Sequence, residues 1–294
     1  MQPRQTKHRE ADRTDQAVRK KDDRDDGMTD CVEEALLIAG VTGSLIGVAA
    51  RAQSGRNRKV RAAVVFVPAP GHSRTGPDRL HVRLARELAQ AGIPSLRFDP
   101  ADGGDTAPAA AHNARHEGDL VAAARQLQAL HRDAKLVFIA CGPAALPLAA
   151  ALSAIRFAGL PCRALVFIDP VLDAIDPIAP RSFWQRLTRR PSSTIQALAR
   201  PNTGASTEER HWLTLPATLQ ALAARLHVVT SKDPHARALM RNLMAEDRRW
   251  QRMLHGRGKR RPALLEFDTE DGTWSDPAHW RRLVDWLARL CRER

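Results

Sequence analysis

Few side chains in this sequence could carry chemistry, and they lie far apart. Cys141 closes the apolar run Ile139-Ala140-Cys141, and its thiolate could attack a carbonyl if a base lowered the thiol pKa. His72 and His235 are the imidazoles that could serve as that base, at distances the sequence does not fix. In the alternative reading Cys141 is a small buried hydrophobe at a strand end. Asp233 precedes Pro234, the arrangement of a helix N-cap followed by proline at the first helical position. Asp99 and Asp105 lie in Phe98-Asp99-Pro100 and Gly103-Gly104-Asp105, where glycine supplies positive φ and aspartate bonds its own backbone. Six residues apart and without a His or Cys partner at ligand spacing, they read as turn residues rather than as a metal site.

Cys31, Cys141, Cys162 and Cys291 are widely spaced and form no CxxC pair. A disulfide scaffold and a cysteine-rich zinc site are therefore disfavoured, and reduced thiols in a cytoplasm are expected, with no metal and no cofactor. The 46 Lys and Arg against 33 Asp and Glu give a net charge of +13, which would draw polyanions. Aromatic residues make up only 4% of the chain and tyrosine is absent, so base-stacking platforms are hard to build. The densest basic run, Arg257, Lys259, Arg260 and Arg261, has no accompanying binding motif and reads as a solvated loop, so no specific nucleic-acid partner is expected.

The elements that would position these residues follow from periodicity. Residues 1–27 hold four apolar and fifteen charged side chains and read as a disordered tail, with Met28 an alternative start to Met1. The apolar stretch from Ala35 to Ala50 is broken by Gly40, Thr42, Gly43, Ser44 and Gly47 and preceded by Glu33 and Glu34, so it suits neither a signal peptide nor a membrane span. It reads as a β-hairpin, Ala35–Ala39 and Ser44–Ala50, turned at 40–43.

From there short β-branched runs alternate with amphipathic stretches. Strands are expected at Ala62–Val67, Pro94–Phe98, Lys135–Ile139, Ala164–Ile168, Leu226–Thr230 and Ala263–Phe267. Helices are expected at Asp78–Ala91, Glu117–Leu130, Ala144–Ile155, Pro234–Arg248 and Pro277–Leu290. This is the pattern of an α/β domain over 28–294, with a mainly parallel sheet and helices on both faces. The stretch at about 170–225 holds helical pieces but no strand and is too long for an ordinary connection, so it reads as a helical cap insertion.

The order of these elements resembles the α/β-hydrolase fold, and within it the hydrolases associated with the exosortase A system of exopolysaccharide-producing bacteria. The resemblance runs from about Cys31 to the C-terminus. It rests on Glu33-Glu34-Ala35-Leu36-Leu37, Pro70-Gly71-His72-Ser73-Arg74-Thr75-Gly76, Ala91-Gly92-Ile93-Pro94-Ser95-Leu96-Arg97-Phe98-Asp99, Gly104-Asp105-Thr106 and Asp271-Gly272-Thr273-Trp274-Ser275-Asp276-Pro277-Ala278. It implies a nucleophile on a sharp strand-to-helix turn after Lys135–Ile139, an acid after a later strand, and a histidine after the last one.

Carried onto this sequence, the resemblance puts Gly142 at the nucleophile position, Asp233 at the acid and Gly272 at the base. The crowded turn needs small residues two before and two after its tip, which Ala140 and Ala144 supply only when the tip is Gly142. A Cys141 tip would be flanked by Ile139 and Pro143. Glycine can neither attack a carbonyl nor relay a proton. Pro143 has no N–H to give an oxyanion hole, and His279, seven residues beyond Gly272, reads as a surface histidine. The resemblance thus implies an esterase-like scaffold with impaired catalysis and an accessory role near exopolysaccharide synthesis, its partner an unknown small molecule or protein. The alternative is an active ester or thioester hydrolase or acyltransferase using Cys141.

Overall fold

The computed structural model describes residues 31–53, 59–106, 116–171, 207–222, 224–231, 248–255, 264–267 and 276–293, with short pieces at 236–237, 239–241 and Trp274. The expectations for the 1–27 tail, Met28, Asp233, His235, the 257–261 basic run and Gly272 lie outside these residues.

Strand β1 (Cys31–Ala39) pairs antiparallel with β2 (Ser44–Ala52), in the register Ala39 opposite Ser44. The turn between them closes by a hydrogen bond from the Gly40 N–H to the Gly43 carbonyl at 2.8 Å. A Cβ on Gly40 would lie 2.7 Å from that same oxygen, so the turn excludes any side chain there. β2 also pairs antiparallel with β4 (Ser95–Phe98). The remaining strands are β3 (Ala62–Val67), β5 (Lys135–Cys141), β6 (Cys162–Ile168), β7 (Arg225–Thr230) and β8 (Leu264–Glu266). They pair parallel with their neighbours in the sheet order β1-β2-β4-β3-β5-β6-β7-β8.

Parallel strands covered on both faces need apolar side chains on both, which is why Ala-Ala-Val-Val-Phe-Val of β3 is buried at every position. Alternation divides the central strands between two cores. Leu136, Phe138 and Ala140 of β5 join Val65 and Phe167 under helices α2 (His116–Leu130) and α3 (Ala145–Phe157). Val137, Ile139 and Cys141 face the other way, with Phe66 and Val166, under α1 (Leu80–Gln90) and α6 (Pro277–Arg292).

Several boundaries differ from the sequence reading for local reasons. β5 runs two residues past Ile139 because Ala140 and Cys141 pair with Phe167 and Ile168 of β6. α1 begins at Leu80 rather than Asp78, because Asp78 and Arg79 take positive φ of 46° and 60° in a 3-10 turn behind Pro77. Helix α4 (Thr207–Leu222), at the end of the stretch read as an insertion, packs on α3 and contributes Leu215 and Leu219 to the core. Helix α5 (Arg248–His255), which the sequence pattern did not predict, buries Trp250 and Leu254 one turn apart; three arginines among its eight residues hide that stripe in the sequence. α6 starts as read: the Asp276 carboxylate accepts the Ala278 N–H at 2.8 Å and Pro277 fills the first turn. Among the described residues no helix is long and apolar enough to cross a membrane.

Candidate functional site

The carboxyl ends of β5, β6 and β7 converge on the turn that leaves β5. Cys141 is still extended, at φ −107° and ψ 134°. Gly142 then flips to φ +55°, opening a one-turn 3-10 helix (Gly142–Ala144) that runs directly into α3. Positive φ disfavours most side chains, and glycine adopts it without a Cβ penalty. The space above Gly142 is nonetheless open: a Cβ built there meets no atom within 4 Å. The Gly142 carbonyl accepts the Val171 N–H at 3.4 Å, joining the tip of this turn to the chain leaving β6.

The pleat turns Cys141 inward. It is 5% exposed and belongs to the α1/α6 core with Ile168, Phe267 and Trp274. Burial, and secondarily the Asp169 carboxylate, push its thiol well above the ordinary range. A buried thiol beside a carboxylate stays protonated at neutral pH, the opposite of what a nucleophilic thiolate requires.

Asp169 is the polar centre of this end of the sheet, a residue to which the sequence pattern assigns no role. It takes a positive φ of 45° directly after β6, and its N–H donates to the Val229 carbonyl at 2.8 Å. Its carboxylate accepts the Ser231 N–H at 2.6 Å on one oxygen and the Trp274 indole N–H at 2.9 Å on the other. One side chain thereby joins the ends of β6 and β7 to the segment leading into α6. A signal for it was present: Ile168-Asp169-Pro170 repeats the strand-Asp-Pro pattern of Phe98-Asp99-Pro100.

Asp99 has the turn role the sequence suggested, in a denser form. Fully buried, its carboxylate accepts the Arg74 N–H, the Arg74 guanidinium and the Asp105 N–H, the last at 2.9 Å. The Asp105 carboxylate pairs with the same guanidinium at 2.9 Å. Gly104 packs against Asp99, where a Cβ would lie 2.1 Å from the carboxyl carbon. Thr106 receives the Ile46 N–H at 3.1 Å and donates to the Asp99 carbonyl at 3.2 Å, so β2 is drawn into the same knot. Among the described residues no group of three or more His, Cys, Asp or Glu side chains is arranged to hold a metal ion.

His72 lies in the exposed loop after β3, whose backbone meets Gly103. His279 lies in the first turn of α6, half-buried rather than at the open surface, with Nδ1 at 3.3 Å from the Asp276 carboxylate. Of the positions the resemblance implied, Gly142 and the alternative Cys141 are therefore described, on opposite sides of one turn. Ser231 and Trp274, two residues from Asp233 and Gly272, meet on Asp169.

No family model matches this chain, and no curated protein matches it. Solved structures do. The esterase Est22 superposes with a TM-score of 0.58 at 11% identity, over 97% of this chain and 90% of that one. A fungal esterase from Rhizomucor miehei gives 0.53 at 14% identity, over 99% and 92%. Carboxyl esterase 2 from Tuber melanosporum gives 0.52 at 14% identity, over 92% and 88%. At such identities the likeness concerns the fold: this chain has the α/β-hydrolase fold, with the mainly parallel eight-stranded sheet and flanking helices that its sequence pattern implied.

Proposed function

We propose that this chain is a cytoplasmic, catalytically impaired α/β-hydrolase-fold protein of the exosortase A-associated type. In this reading Gly142, Asp233 and Gly272 occupy the positions of nucleophile, acid and base, and the protein binds a small molecule or protein near exopolysaccharide synthesis without hydrolysing it. The part of the insertion ahead of α4 would form a cap that bounds the binding region.

The observation that carries the reading is the left-handed Gly142 at the tip of the turn between β5 and α3, followed by Pro143. A tip with no side chain supplies no attacking atom. A proline after it supplies no N–H to a developing oxyanion, and one such donor is worth about 2.7–4 kcal/mol of transition-state stabilisation. Asp233 then has no imidazole to orient, and its role as an N-cap before Pro234 suffices.

The purified protein is expected to leave short p-nitrophenyl esters at the buffer rate. Turnover that is lost on Gly142→Ala or Gly272→Ala substitution would overturn the proposal. The competing thiol-hydrolase reading needs Cys141 to be exposed and activated, and its inward side chain and raised pKa count against it.

A further inference from the structure

At the end of the sheet opposite Gly142, the amino ends of the parallel strands carry a row of cations. Arg61 precedes β3, Lys135 opens β5, Arg163 is the second residue of β6 and Arg225 opens β7. Since β3, β5, β6 and β7 are consecutive neighbours, with Ala62 opposite Lys135 and Ala164 opposite Arg225, these charges share one rim. Two of them are engaged: Arg163 donates to the Glu293 carbonyl at 2.5 Å and Arg225 to the Glu293 carboxylate at 3.3 Å.

At the β3 end of this rim lies a cavity of about 260 Å³, lined by Lys59, Arg61, Gly92, Cys291 and Arg292 together with apolar residues. Ala62, Ile93 and Cys291 are buried and form its floor, whereas the three cationic side chains are exposed at its mouth. Gly92, at φ +77°, has open space where a Cβ would stand, so no side chain enters the cavity from that wall. The Arg292 guanidinium donates one N–H to the Ala91 carbonyl at 2.7 Å, which holds it across the end of α1.

Of the negative charge nearby, Glu293, next to Arg292, is paired with Arg225. Asp133 stands 3.9 Å from Lys59 with both side chains about three-quarters exposed, a pairing that contributes little. Glu87 and Asp285 line a neighbouring hollow that shares Arg292 and Ala91, not this one. Arg61 has no carboxylate partner among the described residues. The ordinary role of cations here is to offset the negative ends of helices such as α1. Two helices end at this cavity, α1 at Ala91 and α6 at Arg292, each carrying about half a negative charge, so the three full cations Lys59, Arg61 and Arg292 leave a positive excess.

We infer that this cavity binds the oxyanion of a small phosphorylated molecule, held by Arg61 and Arg292 with Lys59 at the mouth. Guanidinium groups match phosphate oxygens in bidentate geometry, and the net charge of +13 favours approach of anions. The site is independent of the proposed loss of catalysis, since it lies a strand length, roughly 20 Å, from Gly142.

The test is calorimetric titration of the full-length chain at low salt with inorganic pyrophosphate and, separately, phenyl phosphate. Saturable one-to-one binding is expected for at least one of them, the tighter ligand showing whether a free diphosphate or a phosphate ester is preferred. Arg61→Glu and, as a milder change, Arg292→Gln are expected to weaken it by roughly ten-fold or more, a loss of about 1.4 kcal/mol. Arg61→Lys, which keeps the charge but loses the guanidinium fork, should fall between the native protein and Arg61→Glu, with folding checked by circular dichroism. Arg156→Glu, an equal charge change at the exposed end of α3, should leave binding within a factor of about two. Absence of saturable binding to either probe would overturn the inference. So would equal weakening by Arg156→Glu, and so would a preference for heparin that is unchanged in Arg61→Glu, since both mark a diffuse field rather than a site.

Discussion

His81 in the first turn of α1 is fully enclosed, its ring 5.1 Å from that of Phe66 and pressed against Gly76. Burial, and then the Arg97 charge from β4, lower its pKa from 6.5 to about 4. The native protein therefore holds a neutral imidazole where the unfolded chain takes up a proton below pH 6.5, so stability falls as the pH drops through that window. The loss develops between pH 6.5 and about 4 and amounts to about 3 kcal/mol, with nothing further below. Urea midpoints measured across this range should decline in the native sequence, and the decline should flatten in His81→Leu. An unchanged slope would show that other groups govern acid sensitivity. At the turn itself, Gly142→Ser places a hydroxyl in the open space but in a strained backbone conformation. It is expected to cost about 1–3 kcal/mol in thermal or urea unfolding and, under the proposed assignment of Gly272 to the base position, to yield no ester turnover, since Pro143 still offers no N–H.

At the scale of elements, two aspartates that each follow a strand and precede a proline hold the loops of the carboxyl end in place. Removing Asp169 leaves the Ser231 N–H and the Trp274 indole N–H without this acceptor. Asp169→Ala should lower unfolding free energy by about 2–3 kcal/mol and alter the near-ultraviolet dichroism of Trp274, whereas Asp169→Asn, which tolerates positive φ and keeps one acceptor, should cost less than half as much. Equal losses in the two variants would contradict the staple. Gly104→Ala tests the second knot: its Cβ would collide with Asp99, and a loss of about 2–3 kcal/mol is expected in the same unfolding measurement. The sequence disclosed Asp99 as a turn residue because glycines surround it. It did not disclose how much converges on Asp169, since hydrogen bonds from residues 62 and 105 positions away leave no local pattern.

For the molecule as a whole, burial on both faces wrote the parallel strands into the sequence as continuous apolar runs, and β3 was legible to the residue. The hairpin was legible from its glycine-bounded turn. Two features were hidden. Helix α5 is arginine-rich, so its buried Trp250 and Leu254 do not stand out, and α4 belongs to the core although the stretch that contains it looks like an insertion. The register at the end of β5 was the hardest point, because Cys141 and Gly142 are adjacent and only the pleat and a left-handed φ distinguish them.

That register decides between an inert turn and an active one, and the alkylation rate of Cys141 reads it most directly. The native protein is treated with iodoacetamide between pH 6 and 9 and each cysteine followed by mass spectrometry. Burial and the neighbouring Asp169 predict labelling of Cys141 far slower than that of a free thiol, slower than that of half-buried Cys31, and accelerated only by unfolding. Labelling of Cys141 ahead of the other three thiols, with a rate already at its plateau near neutral pH, would contradict the account and establish an activated nucleophile at this turn.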